Sequence, residues 1–178
     1  MNEFFSNSGK RFIILSKTGK NCVIQFIDTG YIRRANIDNI KAGKVKDLLA
    51  KSVYGVGYYG DFEKVYYWKK AKQLWQNMLK RCYCEKDSKG YFGRVTVADD
   101  WHCFSNFIRD LRNLKNFEEW VSYKSGGIKY NLDKDLLFPG CTVYSKYTCQ
   151  FITEAENKSA GARNGKPFTK KSRVMVVE

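Results

Sequence analysis

The sequence has no long apolar run and only one histidine. No stretch approaches the roughly 18 uncharged apolar residues that a membrane-spanning helix needs, so we expect a soluble chain without a membrane partner. The first ten residues, MNEFFSNSGK, lack the apolar core of a signal peptide, which indicates a cytoplasmic protein. A hydrophobic content of 43% in 178 residues still allows a real core, arranged as one domain or two small ones.

Acidic residues are also scarce, with 18 Asp and Glu against 32 Lys and Arg, so the formal net charge is +14. The cations are spread along the whole chain rather than confined to a tail. Such an excess favours a polyanionic partner, and phosphate contacts release counterions, so the affinity should weaken steeply with salt. Aromatic residues make up 16% of the chain, and rings interleaved with Lys and Arg can stack on bases. A basic protein without such a partner is the alternative.

Six cysteines in a chain without an export signal indicate reduced thiols rather than disulfides. Cys82 and Cys84 form a Cys-x-Cys pair, which lacks the usual gap of two to four residues between zinc ligands. The other candidate zinc ligands are His102, Cys103, Cys141 and Cys149. Cys82 also completes the apolar face of a predicted helix, where free cysteine behaves as a small hydrophobe. We therefore expect buried thiols rather than structural zinc.

His102 is the one residue whose type suggests a general base. It lies beside Trp101 at the start of a predicted helix, far in sequence from the ionisable residues near Asp133. We expect a surface or partly buried role for it rather than a catalytic one.

The first 62 residues predict a β-rich unit. Phe12–Leu15, Cys22–Ile27 and Tyr31–Ile32 are β-rich runs separated by turn signals, which indicates a small antiparallel sheet of three strands. The glycines of Val53–Gly60 do not form a phosphate-binding loop, because no helix start with Lys-Ser or Lys-Thr follows them. The unit is either a barrel-like nucleic-acid-binding module or a structural subdomain.

An amphipathic helix should follow, because the apolar residues from Ala71 to Cys82 are spaced three and four apart. The cations of its other face are Lys69, Lys70, Lys72, Lys80 and Arg81. No acidic residue lies among them, which favours contact with phosphates over a merely solvated face.

The next segment predicts one short strand and two helices. Tyr91–Val97 alternates into a strand that carries Arg94, and Asp99 or Asp100 caps the first helix. The apolar residues of its inner face are Trp101, Phe104, Phe107, Ile108 and Leu111. Lys115–Val121 predicts a shorter helix after it.

The stretch from residue 128 to 152 predicts a β-hairpin. Ile128–Leu132 forms its first strand and Thr142–Ile152 its second, with a turn at Pro139 and Gly140. A helix should follow at about Thr153, because Thr153 and Glu156 have the spacing of a capping box.

This hairpin and helix would bring the end of the first strand close to the first turns of the helix. Asp133, Lys134 and Asp135 follow the first strand, and Asn157 lies near the start of the helix. Small metal-dependent nuclease sites are built from such a convergence.

Several segments of the sequence resemble a family of phage-encoded HNH-like proteins related to homing endonucleases. They are WQNMLKRCYCEKDSKGYFGRVTVADDWHCFSNF from Trp75, then LDKD, YSKYTC from Tyr144, and EAEN. The match covers about residues 66–160 and rests on the order and spacing of the segments. The resemblance implies an HNH-like core, DNA binding, and a location in the cytoplasm of the infected host cell.

The resemblance also assigns roles to single residues. Asp133 matches a metal-ligand carboxylate and Asn157 a ligand on the helix, so the two would hold Mg²⁺ or a similar divalent cation. Lys134 stands where the family has a histidine base, and Thr148 where an asparagine would orient that base. The implied catalytic set is Asp133, Lys134 and Asn157. A decayed nuclease core that binds DNA without cutting it is the alternative.

Together these observations predict an α+β protein in three parts. They are a β-rich subdomain at 1–62, an HNH-like core at 63–160, and a basic tail at 161–178. The expected partner is double-stranded DNA, and the alternative is an acidic host protein that the chain inhibits. The predicted DNA-contacting residues are Lys69, Lys70, Lys72, Lys80, Arg81, Arg94, Arg163, Lys166, Lys170 and Lys171.

Overall fold

The computed structural model of the chain describes residues 2–87 and 90–164. An antiparallel sheet in the order β1-β2-β3-β4 opens the chain. Its strands are β1 Glu3–Phe5, β2 Arg11–Thr18, β3 Asn21–Phe26 and β4 Ile32–Asn36, and the short helix α1 Ile37–Lys41 follows. The three predicted strands are present, and β1 adds a fourth by pairing Phe4 with Phe12.

One face of this sheet is buried. Phe12, Ile24 and Phe26 are fully buried because alternate residues of a strand point to the same side. They form a hydrophobic cluster of their own, separate from the cluster that the later helices build. The Tyr31 hydroxyl donates to the Asp61 carboxylate at 2.6 Å, which ties the sheet to the segment that follows it.

Helix α2, Trp68–Tyr83, is the predicted amphipathic helix and the centre of the second core. Its buried residues are Ala71, Trp75, Met78, Leu79 and Cys82. The indole N–H of Trp75 donates to the Trp101 carbonyl at 2.8 Å, so the polar atom of this buried ring is satisfied. The spacing of three and four has placed the apolar stripe inward, as predicted.

The predicted helix after Asp99 is divided into two at Cys103. The two helices are α3 Asp99–His102 and α4 Phe104–Leu111. Cys103 has extended backbone because it forms a parallel bridge with Tyr58. The Tyr58 N–H donates to the His102 carbonyl at 3.0 Å, and its carbonyl accepts from the Phe104 N–H at 2.9 Å. The predicted inner face is buried on both sides of the break.

Two further sheets of two strands each complete the fold, β5-β7 and β6-β8. The other strands and α-helices of the described residues are β5 Thr96–Val97, α5 Phe117–Ser122, β6 Tyr130–Asp133, β7 Val143–Tyr144, β8 Gln150–Thr153 and α6 Glu154–Asn164, and a 3₁₀ helix at Glu85–Asp87 follows α2. The predicted strand over residues 91–97 is reduced to β5. The first residues of the predicted strand form a turn instead, because the N–H groups of Arg94 and Val95 both donate to the Tyr91 carbonyl at 2.9 Å.

The prediction of a hairpin with a short turn is wrong, because a long connection joins the two strands. Strands β6 and β8 pair antiparallel, but residues 134–149 join them, and β7 within that segment pairs in parallel with β5. The Thr148 hydroxyl donates to the Val143 carbonyl at 2.7 Å and accepts from the Ser145 N–H at 3.0 Å. These bonds close a turn that divides the predicted strand Thr142–Ile152 into β7 and β8.

The predicted start of the last helix is confirmed. The Thr153 hydroxyl accepts from the Glu156 N–H at 3.2 Å, and the Glu156 carboxylate accepts from the Thr153 N–H at 2.8 Å. This reciprocal pair is a capping box. Helix α6 continues to Asn164, so the predicted tail 161–178 begins inside the helix.

The prediction of an α+β fold is confirmed, with an antiparallel sheet at the N-terminus followed by helices and further small sheets. No helix within residues 2–87 and 90–164 is long and apolar enough to cross a membrane.

Gly60 lies where the chain passes α4, and we expect Gly60→Ala to lower the free energy of unfolding by about 2–3 kcal/mol. Its φ is +62°, and an added Cβ would lie 2.8 Å from the side-chain atoms of both Cys103 and Ser105. Gly55→Ala is the matched control, because Gly55 also has positive φ, +77°, but open space around it. Urea denaturation should show a smaller loss for Gly55→Ala. Equal losses would mean that the close approach at Gly60 is not tight.

Candidate nucleic-acid interface

A cleft of about 590 Å³ lies between α2 and β6. Its α2 wall carries Lys70, Leu74, Asn77 and Arg81, which follow one another at intervals of three and four residues and therefore form one ridge of the helix. The opposite wall is β6. Other residues that line the cleft are Gln73, Met78, Tyr91, Trp120, Tyr123, Lys129, Asp135, Tyr144 and Asn157.

Lys70 lies against aromatic rings at the α5 end of the cleft. Its ammonium is 4.6 Å from the ring centroid of Trp120 and 5.6 Å from that of Tyr123, and it donates to the Trp120 carbonyl. Trp120 stacks on Phe151 of β8 with 4.7 Å between ring centroids. Burial lowers the pKa of Lys70. The rings and the carbonyl therefore hold this cation in one place.

Arg81 lies against a second pair of rings, eleven residues along the same helix. Its guanidinium donates to the Tyr144 hydroxyl at 3.3 Å and lies 5.5 Å from the ring centroid of Tyr91. At a rise of 1.5 Å per residue, the backbone positions of Lys70 and Arg81 are about 16 Å apart along the helix axis. The cleft therefore has a cation held by aromatic rings at each end of its α2 wall.

Asp133 ends strand β6 and is buried. Its Oδ2 accepts from the N–H groups of Asp135 and Leu136 at 2.9 and 2.6 Å. This carboxylate therefore turns the chain at the end of β6 through one of its oxygens. Asn157 is exposed in the first turns of α6, and both predicted metal ligands line the same cleft.

Lys134, predicted to replace the histidine base, is only 4% exposed. Its ammonium bonds both oxygens of Asp135 at 2.8 and 2.9 Å and the Cys141 carbonyl at 2.6 Å. It also lies 5.6 Å from the ring centroids of Tyr91 and Tyr144. The ammonium nitrogen has three acceptor oxygens within 2.9 Å, whereas a base needs a free lone pair. The geometry indicates that Lys134 is an internal cation that stabilises the segment after β6 by binding Asp135 and the Cys141 carbonyl.

The other predicted DNA-contacting residues lie elsewhere. Lys69, Lys72 and Lys80 are on α2 but do not line the cleft, and Lys72 lies 5.3 Å from the ring centroid of Tyr59. Arg94 is exposed in the turn before β5. Arg163 falls within α6, with its side chain outside the description, and Lys166, Lys170 and Lys171 lie outside the described residues.

The candidate zinc ligands do not converge. Among the residues that the structure describes, no group of three or more His, Cys, Asp or Glu side chains could hold a metal ion. Cys82, Cys103 and Cys149 are buried. Burial raises the pKa of Cys82 to about 11 and that of Cys149 to about 12, so these thiols stay protonated at neutral pH.

His102 belongs to a hydrogen-bonded network of side chains, and His102 itself does not line the cleft. Its Nε2 lies 2.9 Å from the Tyr83 hydroxyl, which accepts from the Val97 N–H at 3.0 Å. Its Nδ1 lies 3.5 Å from the Asp99 carboxylate. Burial lowers the pKa of His102, Asp99 opposes that shift, and Lys51 adds to it. The tautomer of the imidazole decides which of Nε2 and the Tyr83 hydroxyl donates in this hydrogen bond.

We expect the free energy of unfolding to fall as the pH drops below about 6.5, the ordinary histidine pKa. The folded-state pKa of His102 is lower, so the unfolded chain takes up the proton first and stability present at neutral pH is lost on acidification. Urea denaturation at several pH values measures this. His102→Gln keeps an acceptor for Tyr83 and should flatten the profile above the carboxylate range. An unchanged profile in that variant would assign the effect to other groups.

Sequence reasoning missed several residues of the cleft. Gln73 and Asn77 lie on the exposed side of α2, and the helical spacing alone could have placed them beside Lys70 and Arg81. The Gln73 amide donates to the Asn77 side-chain oxygen at 2.9 Å. Tyr123, Lys129 and Tyr130 carry no local signal, because only the fold brings them opposite α2.

Comparisons of the chain with protein-family models, curated proteins and solved structures found no match. The relation to phage HNH-like proteins therefore remains a prediction from the sequence.

Proposed function

We propose that this chain is a DNA-binding protein and that the cleft between α2 and β6 lies at the centre of its interface with double-stranded DNA. The observation that carries the proposal is the pair of cations, Lys70 and Arg81, held by aromatic rings on one ridge of α2. A chain with a net charge of +14 supplies long-range attraction to a polyanion. The two fixed cations then place the backbone of the partner along α2.

The carboxylates of the cleft do not oppose this proposal. Asp135 is paired with Lys134 at 2.8 Å, so its charge is compensated. One oxygen of Asp133 accepts two backbone N–H groups, which disperses part of its charge. Lys129, which is exposed at the β6 side, adds a third cation.

Metal-dependent endonuclease activity is a second candidate, favoured by the presence of Asp133 and Asn157 in one cleft. A carboxylate oxygen and an amide oxygen suit a hard cation such as Mg²⁺, which commonly binds through one or two carboxylates and water. Such an ion would supply charge stabilisation at the phosphate and an activated water. Lys134 would position Asp135 and the connection behind the site rather than take a proton, because its ammonium is fully engaged.

The test is retention of duplex DNA by the purified chain at two salt concentrations. Contact with two phosphates alone predicts about a tenfold loss of affinity between about 50 and 200 mM monovalent salt. No retention at low salt would overturn the proposal and turn attention to an acidic protein partner.

The nuclease candidate is tested on supercoiled plasmid with Mg²⁺ or Mn²⁺. Nicking that both Asp133→Ala and Asn157→Ala abolish, with folding checked by thermal denaturation, would support it. Retention without nicking would leave a DNA-binding protein on an inactive site, which is the alternative predicted from the sequence.

A further inference from the structure

The cleft is concave, whereas the surface of an intact duplex is convex. It is a concave space of about 590 Å³, within the range of about 300–1,000 Å³ that is usual for ligand pockets. A DNA duplex is convex and keeps its bases stacked inside. Double-stranded DNA can lie across the rims of the cleft, but only nucleotides that have left the stack could fill it.

The lining combines cations, aromatic rings and amide groups. Tyr123 is 40% exposed at the end of α5 and Tyr130 is half-buried on β6, and both residues line the cleft. Gln73, Asn77 and Asn131 add amide groups with both donors and acceptors. Single-stranded nucleic acid is bound in grooves where cations follow the backbone and aromatic rings stack on successive bases.

The cations lie at the ends of the cleft and the amides between them. Lys70 and Arg81 are separated by about 16 Å along α2, and Gln73 and Asn77 fall within that interval. A single strand of nucleic acid that lies along this ridge could contact a cation at each end, and the amides could form hydrogen bonds with the edges of its bases. The Lys70 ammonium lies 5.6 Å from the Tyr123 ring centroid. A phosphate bound by Lys70 and a base stacked on Tyr123 would therefore lie close together.

We propose that the cleft binds a short single-stranded segment of DNA, formed by nucleotides extruded or melted from the duplex that the protein contacts. Phosphates of this segment lie near Lys70 and Arg81, and a base stacks on Tyr123. This inference rests on the proposed function, because it assumes that the partner is DNA.

The test compares the affinity of the full chain for a perfect duplex with its affinity for the same duplex carrying a central bubble of unpaired bases, by fluorescence anisotropy. We expect the bubble to bind about tenfold more tightly, since stacking on one aromatic side chain has about that effect. Tyr123→Ala should lower the ratio of bubble affinity to duplex affinity to near one, because a change in the position of Lys70 affects both DNAs whereas the stacking contact is lost only for the bubble. Tyr66→Ala is the matched control, because Tyr66 is 81% exposed and does not line the cleft.

The outcomes separate the two proposals. Binding of both DNAs with equal affinity, or equal losses for Tyr123→Ala and Tyr66→Ala, would overturn the single-strand inference and leave the duplex-binding proposal standing. Binding of neither DNA would overturn both. Tyr123→Leu, which keeps the apolar packing, should show the same loss of preference and serves if Tyr123→Ala lowers the melting temperature.

Discussion

Replacing Lys134 by alanine is expected to lower the free energy of unfolding by about 3–5 kcal/mol, the usual cost of removing one partner from a buried ion pair. Lys134 is 4% exposed, and its ammonium compensates the Asp135 carboxylate and the Cys141 carbonyl at once. Without it, a largely buried carboxylate has no counter-ion, because the Asp135 side chain is itself only 20% exposed. Urea denaturation of Lys134→Ala beside the natural chain measures the loss.

Two controls make this result specific. The double variant Lys134→Met/Asp135→Leu removes both charges and should recover much of the loss, because no uncompensated charge then remains. Lys124→Ala, at an exposed lysine, should change stability by no more than about 0.5 kcal/mol. If Lys134→Ala were as mild as Lys124→Ala but abolished plasmid nicking, Lys134 would be a chemical participant rather than a structural cation.

The second large effect concerns DNA affinity. Lys70→Gln/Arg81→Gln should weaken binding to duplex DNA roughly 10- to 100-fold at low salt and reduce the magnitude of the salt slope by about 2, because two phosphate contacts are lost. Glutamine removes the charge but keeps a polar side chain at both positions, and thermal denaturation checks that loss of the bond from Arg81 to the Tyr144 hydroxyl does not unfold the chain. Gel retention over a series of salt concentrations gives both quantities.

A matched pair of substitutions separates this local effect from net charge. Lys17→Gln/Lys44→Gln removes the same charge from two exposed residues outside the cleft. Since charges beyond about 8–10 Å are largely screened at physiological salt, we expect this control to lose little affinity. Equal losses in the two double variants would mean that the chain attracts DNA only through its overall charge.

The features that the sequence predicted well are those set by neighbours along the chain. The period of three and four in α2 gave its buried face from Ala71 to Cys82, and the capping box gave the start of α6 at Thr153. Both depend on residues within a few positions of each other, so local pattern is sufficient.

The features that it missed depend on partners distant in sequence. Cys103 leaves the helical conformation because its neighbours bond to Tyr58, about 45 residues earlier, and no local signal marks that bridge. The hairpin failed for a similar reason, since β7 pairs with β5 rather than with β6. The α2 wall of the cleft could be derived from helix periodicity, whereas Tyr123, Lys129 and Tyr130 needed the fold.

The parallel pair of β5 and β7 has a consequence for how the cleft meets its partner. Residues on either side of it bond the two strands, with the Thr96 N–H donating to the Thr142 carbonyl at 2.8 Å and the Ala98 N–H to the Tyr144 carbonyl at 2.9 Å. Because β5 follows α2 in the chain and β7 follows β6, this pair links the two walls through the segments that come after them. Such a linkage restrains the relative motion of the walls and so lowers the conformational entropy that binding would cost. Under the proposed binding of unpaired nucleotides, the deformation would fall to the DNA, and sites with easily unstacked pyrimidine–purine steps would be selected by their flexibility rather than by the identity of their bases.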